Sequence, residues 1–543
     1  MMSPAQIPAD APAAPFPPNA LPPWSSEDLP EAKPQGWRHW RALVGPGIVM
    51  MGMQIGGGEW LFGPEITARY GGGLMWIATI AIVLQVFYNV ECGRYTLYCG
   101  EPIMTGFTRM RPGPRFWVGV LMFFSMGALI PALSTHAGAV IAALHLGRPP
   151  NGADAPLVTT YAYLCLALVV LPILVGGKIY RTLQMIMMVK VVVVLGFCLV
   201  VGICLASPQN WWLVASGFLK FGTLPITTSA GGETVKNIFH EYASSGQWPV
   251  VALSSIAVIS AFAGYAGGGG LGNALYSNYV RDQGWGMGSK VGAIASAVGG
   301  RNVTLSHLGK AFPLTPENLR RWRQWWKYVL TDQIIIWAPG CFVGMALPAL
   351  ISMEFSRFSP LYGNTEQMKW AQAVISADGM RHAPQFSAVA ANYFWVGLLG
   401  VGLLVLLPSQ MSVVDCITRF WTDIYWSVSR HAREKLGVHQ VKYVYYSILS
   451  IYVFWSFLGA WIFGRYGTPK LMVLIIANLN NLALGFTAVQ LLWVNRTLLP
   501  KELQPRWYSQ VGLALCAIFY LGLSVLVFYS TQWPVLREWF GKI

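Results

Sequence analysis

Charged residues are scarce in this 543-residue chain, at 11% of the sequence, whereas soluble domains carry about 25%. This scarcity excludes an ordinary soluble fold, because 55% of the residues are hydrophobic and the mean hydropathy is +0.48. Apolar runs long enough to cross a bilayer recur from one end of the chain to the other. The composition therefore predicts an all-α membrane protein with many spans.

The sequence also lacks the patterns of metal-cofactor sites and of enzymes. Its eight cysteines are scattered through apolar segments without the clustered spacing of a zinc site, and we predict that they are small buried hydrophobic residues. No HExxH motif, no GxSxG motif and no pair of catalytic carboxylates in a shared motif is present. We therefore expect neither a cofactor nor an enzymatic activity.

A secretory signal peptide is likewise missing. The first 36 residues are rich in proline and alanine and contain acids, but they have no basic region followed by an apolar one. This composition predicts a disordered tail over residues 1–40.

The basic residues, which give a net charge of +15, collect in the connections between apolar segments. This distribution indicates membrane topology rather than a nucleic-acid partner, and the positive-inside rule places the N-terminus in the cytoplasm. An odd number of spans then places the C-terminus on the extracellular or periplasmic side of the cell membrane. About eleven spans are predicted, at 41–70, 73–98, 116–146, 156–176, 182–206, 249–280, 328–352, 387–413, 443–464, 471–494 and 508–530.

Two connections are unusually long. Residues 207–248 are predicted to be extracellular and residues 281–327 cytoplasmic. The second contains RRWRQWWKY (320–328), whose mixture of arginine, lysine and tryptophan is typical of a helix lying in the membrane interface.

Glycine tracts interrupt the first and sixth predicted spans. IGGGEW (55–60) and AGYAGGGGLGN (263–273) are poor helix formers, since each glycine costs about 1 kcal/mol relative to alanine. Broken helices five spans apart are expected of two inverted repeats, here 41–206 and 249–494, followed by a last span within 495–543. Unwound backbone at membrane depth is tolerated where it lines a cavity. Close helix packing is the alternative explanation of such glycines.

The first span contains the uninterrupted segment GPGIVMMGMQIGGGEWLFGPEITARYGGGLMW (45–76). This segment resembles, without a gap, the pattern of GPG, IDPGN and YG-x-x-LLW found in the natural-resistance-associated macrophage protein (Nramp) family of divalent-metal transporters. The segments SQMSVVDCITRFW (409–421) and NLNNLALGFTAVQLLWVNR (478–496) align more loosely. The resemblance implies a LeuT-like fold and transport by alternating access.

The chain departs from this family at the metal-binding motifs. The DPGN motif falls on Gly56 to Glu59, so the aspartate ligand is a glycine and the asparagine is a glutamate. The MPH motif falls near Gly269 to Gly272, and the soft methionine ligand is missing. Because carboxylate and carbonyl oxygens suit hard ions, the expected cargo is a divalent cation such as Mg²⁺ or Mn²⁺, with Glu59 as the metal ligand.

A small organic solute, such as an amino acid, is the alternative cargo, since half-helix ends also bind such substrates. A sensor that keeps the fold without transporting is a further hypothesis, although no signalling domain is visible. For either cargo the predicted substrate-binding residues are Gln54, Gly56, Gly57, Gly58, Glu59, Gly267, Gly268, Gly269, Gly270, Asn273, Gln410, Asn478 and Asn481.

Three ionisable residues inside predicted spans are candidates for ion coupling or other function. Lys190 in span five is either a coupling residue, as in some carriers of the LeuT-like superfamily, or a lysine that extends to the membrane surface. Asp415 in span eight and Asp332 at the start of span seven are either functional or paired within the bundle. The expected partners are the lipid bilayer and a small substrate, with no nucleic acid.

Overall fold

Helices form nearly all of the protein. The computed structural model describes residues 21–34, 45–174, 178–228, 232–297, 303–534 and 537. Ten helical segments in this part of the chain are long and apolar enough to cross a membrane. They are Trp76–Cys99, Pro114–Leu146, Gly152–Leu174, Ile179–Leu205, Leu253–Gln283, Pro316–Phe358, Ala388–Val428, Val441–Tyr466, Pro469–Leu498 and Trp507–Gln532. We number them spans two to eleven, and the interrupted segment Pro46–Tyr70 is span one. The predicted all-α membrane fold with eleven spans is confirmed.

Span one is broken at its glycine tract. The helix Pro46–Gln54 ends before Ile55, and the chain resumes as a π-helical turn, Gly57–Phe62, and a helix, Gly63–Tyr70. Close contact with Tyr265 of span six requires glycine at positions 57 and 58. A Cβ on Gly58 would lie 2.5 Å from the Tyr265 carbonyl oxygen, and one on Gly57 would lie 2.8 Å from its ring. The glycines thus let the two broken spans approach each other closely.

Span six is broken more severely. Its first helix, Leu253–Tyr265, is followed by non-helical backbone at 266–269, a 3₁₀ turn at Gly270–Ala274 and the helix Leu275–Gln283. The four glycines Gly267 to Gly270 all have positive φ, from 63° to 129°. Only glycine adopts this region without strain, so the run of four directs the break. Spans one and six therefore open the two predicted repeats in equivalent ways.

The connections rich in lysine and arginine gather at one end of the bundle, which we call the basic end. Lys178 forms a β-bridge with Ala295, Leu305 N–H donates to the Val438 carbonyl, and the Arg94 guanidinium binds the Leu503 carbonyl. At the opposite end, the connection between spans five and six contains two antiparallel strands, Thr223–Thr227 and Glu233–Asn237.

Residues 21–34, which we call the N-terminal strap, are ordered, in contrast to the disorder predicted for residues 1–40. The remaining residues of that tail lie outside the described part of the chain. The strap crosses the basic end, where Ser25–Ser26 pairs in parallel with Lys310–Ala311. Amino-acid composition did not predict this order, because a few buried side chains hold the strap in place. The Trp24 ring packs edge-on against Tyr98 at 5.6 Å, and Leu29 is fully buried.

Polar contacts fix the strap along the helix Pro316–Thr331. Trp325 Nε1 donates to the Pro30 carbonyl at 2.8 Å, and the Tyr328 hydroxyl donates to the Lys33 carbonyl at 2.7 Å. The helix predicted at 320–328 is present, and these two aromatic residues are buried beneath the strap instead of being exposed on the helix surface. Lys290 and Lys310 bind the Glu27 carboxylate and hold the pKa of Glu27 below its usual value.

Replacing Trp24 by alanine is expected to release the strap, because the indole also lies 5.0 Å from the Arg109 guanidinium and 6.1 Å from the Tyr95 ring. Losing these ring contacts should make amide hydrogen exchange of the 21–34 peptide about tenfold faster. Trp507→Ala at the same end is the control, since Trp507 is 75% exposed. Equal exchange of the strap in both variants would contradict this assignment.

Candidate functional site

A cavity of about 110 Å³ lies between the two broken spans and spans three, eight and ten. At about 30 Å³ per molecule it has room for three or four waters, or for one small solute. Its polar lining comes from few groups, and the rest is aliphatic or aromatic. The lining residues are Met53, Gln54, Gly57, Phe124, Ser125, Ala128, Ile130, Ala132, Leu133, Tyr265, Gly268, Gly269, Leu271, Gly272, Ser409, Gln410, Val413, Cys416, Ile417, Ile476 and Asn480.

Five of the predicted substrate-binding residues line this cavity. Gln54 and Gly57 come from span one, Gly268 and Gly269 from span six, and Gln410 from span eight. The structure thus brings together both glycine tracts and the glutamine that the sequence placed in span eight. No aspartate, glutamate, lysine, arginine or histidine is among the described residues that line the cavity.

Glu59, the predicted metal ligand, does not line the cavity. Its carboxylate is fully buried and accepts hydrogen bonds from the backbone N–H of Gly56 at 3.3 Å and of Gly267 at 3.4 Å. The side chain therefore joins the two breaks by binding N–H groups that the interrupted helices leave without a helical partner. The physical reason is that the free amides of two unwound segments attract the nearest carboxylate.

The other predicted substrate-binding residues lie behind the cavity lining and pack against it or against neighbouring spans. Gly56 packs against Ser409, and Gly58 lies under Tyr265. Asn273 donates from Nδ2 to Gln85 and Asn89 of span two. Gly267, Gly270, Asn478 and Asn481 also lie outside the lining.

Two asparagines of span ten bind the first half of span six. Asn481 Nδ2 donates to the Ser260 carbonyl and hydroxyl, both at 2.8 Å, and Asn478 Nδ2 lies 3.4 Å from the Ala257 carbonyl. Asn480, between them in sequence, is the asparagine that reaches the cavity. The sequence could not separate the three, because the choice depends on how span ten is rotated.

Lys190 does not extend to the membrane surface. Its side chain is buried, and Nζ donates to the Ser409 hydroxyl at 2.5 Å. That hydroxyl also lies 3.0 Å from the Met53 carbonyl oxygen and 3.3 Å from the Ile55 carbonyl oxygen at the end of the first helix of span one. The Ser409 hydroxyl thus links the Lys190 ammonium to the break in span one, and Ser409 itself lines the cavity.

Asp415 belongs to a cluster of buried charges at the basic end, which we call the charge cluster. Its carboxylate binds the Arg419 guanidinium through two hydrogen bonds, at 3.0 and 2.9 Å, and accepts another from the Tyr445 hydroxyl. Arg419 also binds Asp282 of span six. The cluster is completed by Asn278, Arg281 and Asp423. Asp415 is therefore paired within the bundle.

Asp332 anchors the start of span one. Its carboxylate accepts a hydrogen bond from Gly47 N–H at 2.9 Å and one from the Gln333 side chain at 3.0 Å. It is buried and lies outside the cavity lining.

Several lining residues were missed by the sequence analysis. Met53 stands beside Gln54, Ser409 beside Gln410, and Tyr265 two residues before Gly267, so proximity to the predicted residues was an available signal. Ser125 carried no such signal, because only helix packing brings it to the cavity. In the part of the chain that the structure describes, no three His, Cys, Asp or Glu side chains are grouped so as to hold a metal ion.

The fold is similar to that of a manganese transporter from Eremococcus coleocola. Crystal structures of a mutant of that transporter, and of its complex with an aromatic bis-isothiourea substituted compound, each give a TM-score of 0.57 at 16% identity. Each alignment covers 93% of this chain and 89% of the other. No protein-family model matches the sequence, and no curated protein matches it. The likeness confirms the predicted fold class.

Proposed function

We propose that this protein is a secondary transporter that moves a small substrate across the membrane by alternating access. The observation that supports this proposal is the small cavity where two broken spans meet, lined by a few polar groups among apolar side chains, within a fold similar to that of a manganese transporter. Each half-helix can move separately from its partner, so the cavity can open to either side in turn. The basic end faces the cytoplasm in this proposal, in line with the positive-inside rule.

Two classes of cargo were expected, and a different observation supports each of them. The likeness to a manganese transporter supports a divalent cation, which would keep most of its waters here because no carboxylate reaches it. A lining of neutral amide side chains, the two serines Ser125 and Ser409, Tyr265 and apolar side chains favours a small organic solute. We therefore propose the organic solute as the cargo, with the hydrated cation as the second candidate.

Proteoliposomes containing the full chain test this function. Uptake of alanine, lactate, Mg²⁺ and Mn²⁺ should show saturable transport of an organic member of the panel. Saturable uptake of a cation alone would favour the second candidate, and binding without uptake of any member would favour a sensor instead of a transporter.

Glu59→Ala is expected to reduce this uptake to background. The substitution leaves two buried N–H groups, of Gly56 and Gly267, without their acceptor, at about 1–3 kcal/mol each. Glu59→Gln should retain part of the activity, because its amide oxygen can still accept. Glu366→Ala, at a carboxylate whose side chain is 77% exposed, is the matched control. Unchanged uptake by Glu59→Ala would show that the joint between the two breaks is dispensable.

Coupling to protons is assigned in this proposal to Lys190, with Asp415 as a second coupling candidate within the charge cluster. A lysine that releases its proton would weaken its hold on Ser409 and so on the break in span one. Lys190→Met should therefore abolish the extra uptake that an imposed pH gradient drives, while Lys220→Met, at an exposed lysine, should not. Gradient-driven uptake that persists in Lys190→Met would exclude this role.

A further inference from the structure

Two glutamines line the cavity, and the amide NH₂ group of each is buried without a hydrogen-bond partner among the described residues. Gln54 is 4% exposed and Gln410 is 1% exposed, and Nε2 of each has no hydrogen-bond partner among the described residues. A buried donor without an acceptor is destabilising, so such groups call for an explanation. Gln54 belongs to span one and Gln410 to span eight, and both residues line the cavity.

The orientation of each amide is fixed by a neighbour that can only donate. The Trp337 indole N–H donates to Gln54 Oε1, and the Ser134 backbone N–H donates to Gln410 Oε1 at 3.3 Å. Turning either amide over would place two donors against each other. The oxygens therefore face the protein, and the NH₂ groups are the parts left for a ligand.

We infer that the two amides recognise a carboxylate group of the transported solute, an inference that rests on the proposed transport function. A carboxylate is an acceptor with about four lone-pair positions and no hydrogen to donate, so it can accept from both NH₂ groups at once. The cavity volume of about 110 Å³ limits the solute to a few heavy atoms beyond the carboxylate.

The same geometry disfavours a cation as the ligand of these amides. A metal ion seeks oxygen lone pairs, whereas the groups presented here are N–H donors. A hydrated ion fits no better, since coordinated waters turn their oxygen atoms towards the ion and their hydrogens outward.

Cys416 provides a native reporter of occupancy, because it is the cysteine among the described lining residues. The full chain in liposomes is treated with a small methanethiosulfonate reagent, and modification of Cys416 is quantified by mass spectrometry. Acetate, lactate and alanine are compared with acetamide, lactamide and alaninamide, and with MgCl₂. Cys204, which is exposed and lies outside the cavity, is the internal control.

We expect the carboxylates to protect Cys416, their amides to protect it far less, and none of them to change the labelling of Cys204. In Gln54→Met and Gln410→Met the half-protecting concentration should rise about tenfold or more, because each variant removes a hydrogen bond to a charged acceptor. Gln410→Glu should abolish protection by carboxylates through like-charge repulsion. The comparison of acids with amides uses the unmodified protein, so it still tests the inference if a variant folds poorly.

Equal protection by acids and amides, protection by MgCl₂ alone, or no protection by any member of the panel would overturn the inference. Its failure is distinguishable from failure of the proposed function. Saturable uptake of Mg²⁺ without protection by carboxylates would leave a transporter with a different cargo. Protection by carboxylates without any uptake would support the carboxylate-binding site and contradict the proposed transport function.

Discussion

Gly269→Ala is expected to be among the most damaging single substitutions in this protein. A Cβ at this position would lie 1.7 Å from the Gly264 carbonyl oxygen, and the residue has a φ of +74°. Left-handed backbone costs a non-glycine residue about 1–2 kcal/mol, and the forced shift of backbone adds about 1–3 kcal/mol. We therefore expect the free energy of unfolding to fall by about 2–5 kcal/mol, with loss of uptake, because Gly269 also lines the cavity.

Thermal unfolding in detergent, followed by intrinsic fluorescence, measures this effect. Gly196→Ala is the matched control, since Gly196 lies within a helix of span five and a Cβ there meets nothing within 4 Å. Alanine should be neutral or stabilising at that site by up to about 1 kcal/mol. Similar melting temperatures for the two variants would refute the backbone geometry of the span-six break.

Arg419→Met is the second substitution expected to have a large effect. The charge cluster contains two arginines, Arg281 and Arg419, and three aspartates, Asp282, Asp415 and Asp423, all at most 4% exposed. Removing Arg419 leaves the carboxylates of Asp282 and Asp415 buried beside one fewer cation. Breaking a buried ion pair in this way costs about 3–5 kcal/mol.

The stability of Arg419→Met should be compared with that of Arg430→Met. Arg430 pairs with Glu434 at 2.8 Å, but its side chain is 84% exposed, so solvent screens the pair and the loss of stability there should be small. Because the charge cluster joins span six to span eight, hydrogen exchange in the helix Leu275–Gln283 should also rise in Arg419→Met. Equal stability of the two variants would mean that the cluster contributes no more than a surface pair.

The arrangement of the spans was predictable because it depends on local chemistry. Apolar length fixes where helices cross a bilayer, and glycine tracts fix where they break. Both predicted breaks are present, at residues 55–56 and 266–269. The strap was not predictable in this way, since Trp24 and Leu29 become ordered only through contacts with residues far along the chain.

Glu59 shows where reasoning from residue types fails. A carboxylate among glycines in a broken span suggests a metal ligand, yet its oxygens bind the amides of Gly56 and Gly267. Gln54 and Gly57, which were predicted on either side of Ile55 and Gly56, do line the cavity. The resemblance therefore extends to the architecture, and the partners of each polar group have to be read from the structure.

The sequence by itself determined that this protein is a bundle of eleven spans with two glycine breaks, because hydrophobic length and backbone freedom are properties of short segments. Only the tertiary structure decided which polar groups reach the cavity, that Glu59 joins the breaks, and that Lys190 lies on Ser409. Those outcomes depend on the rotation of each helix and on donors and acceptors that are distant in the chain. A buried polar group takes its role from the partner that satisfies it, and packing alone supplies that partner.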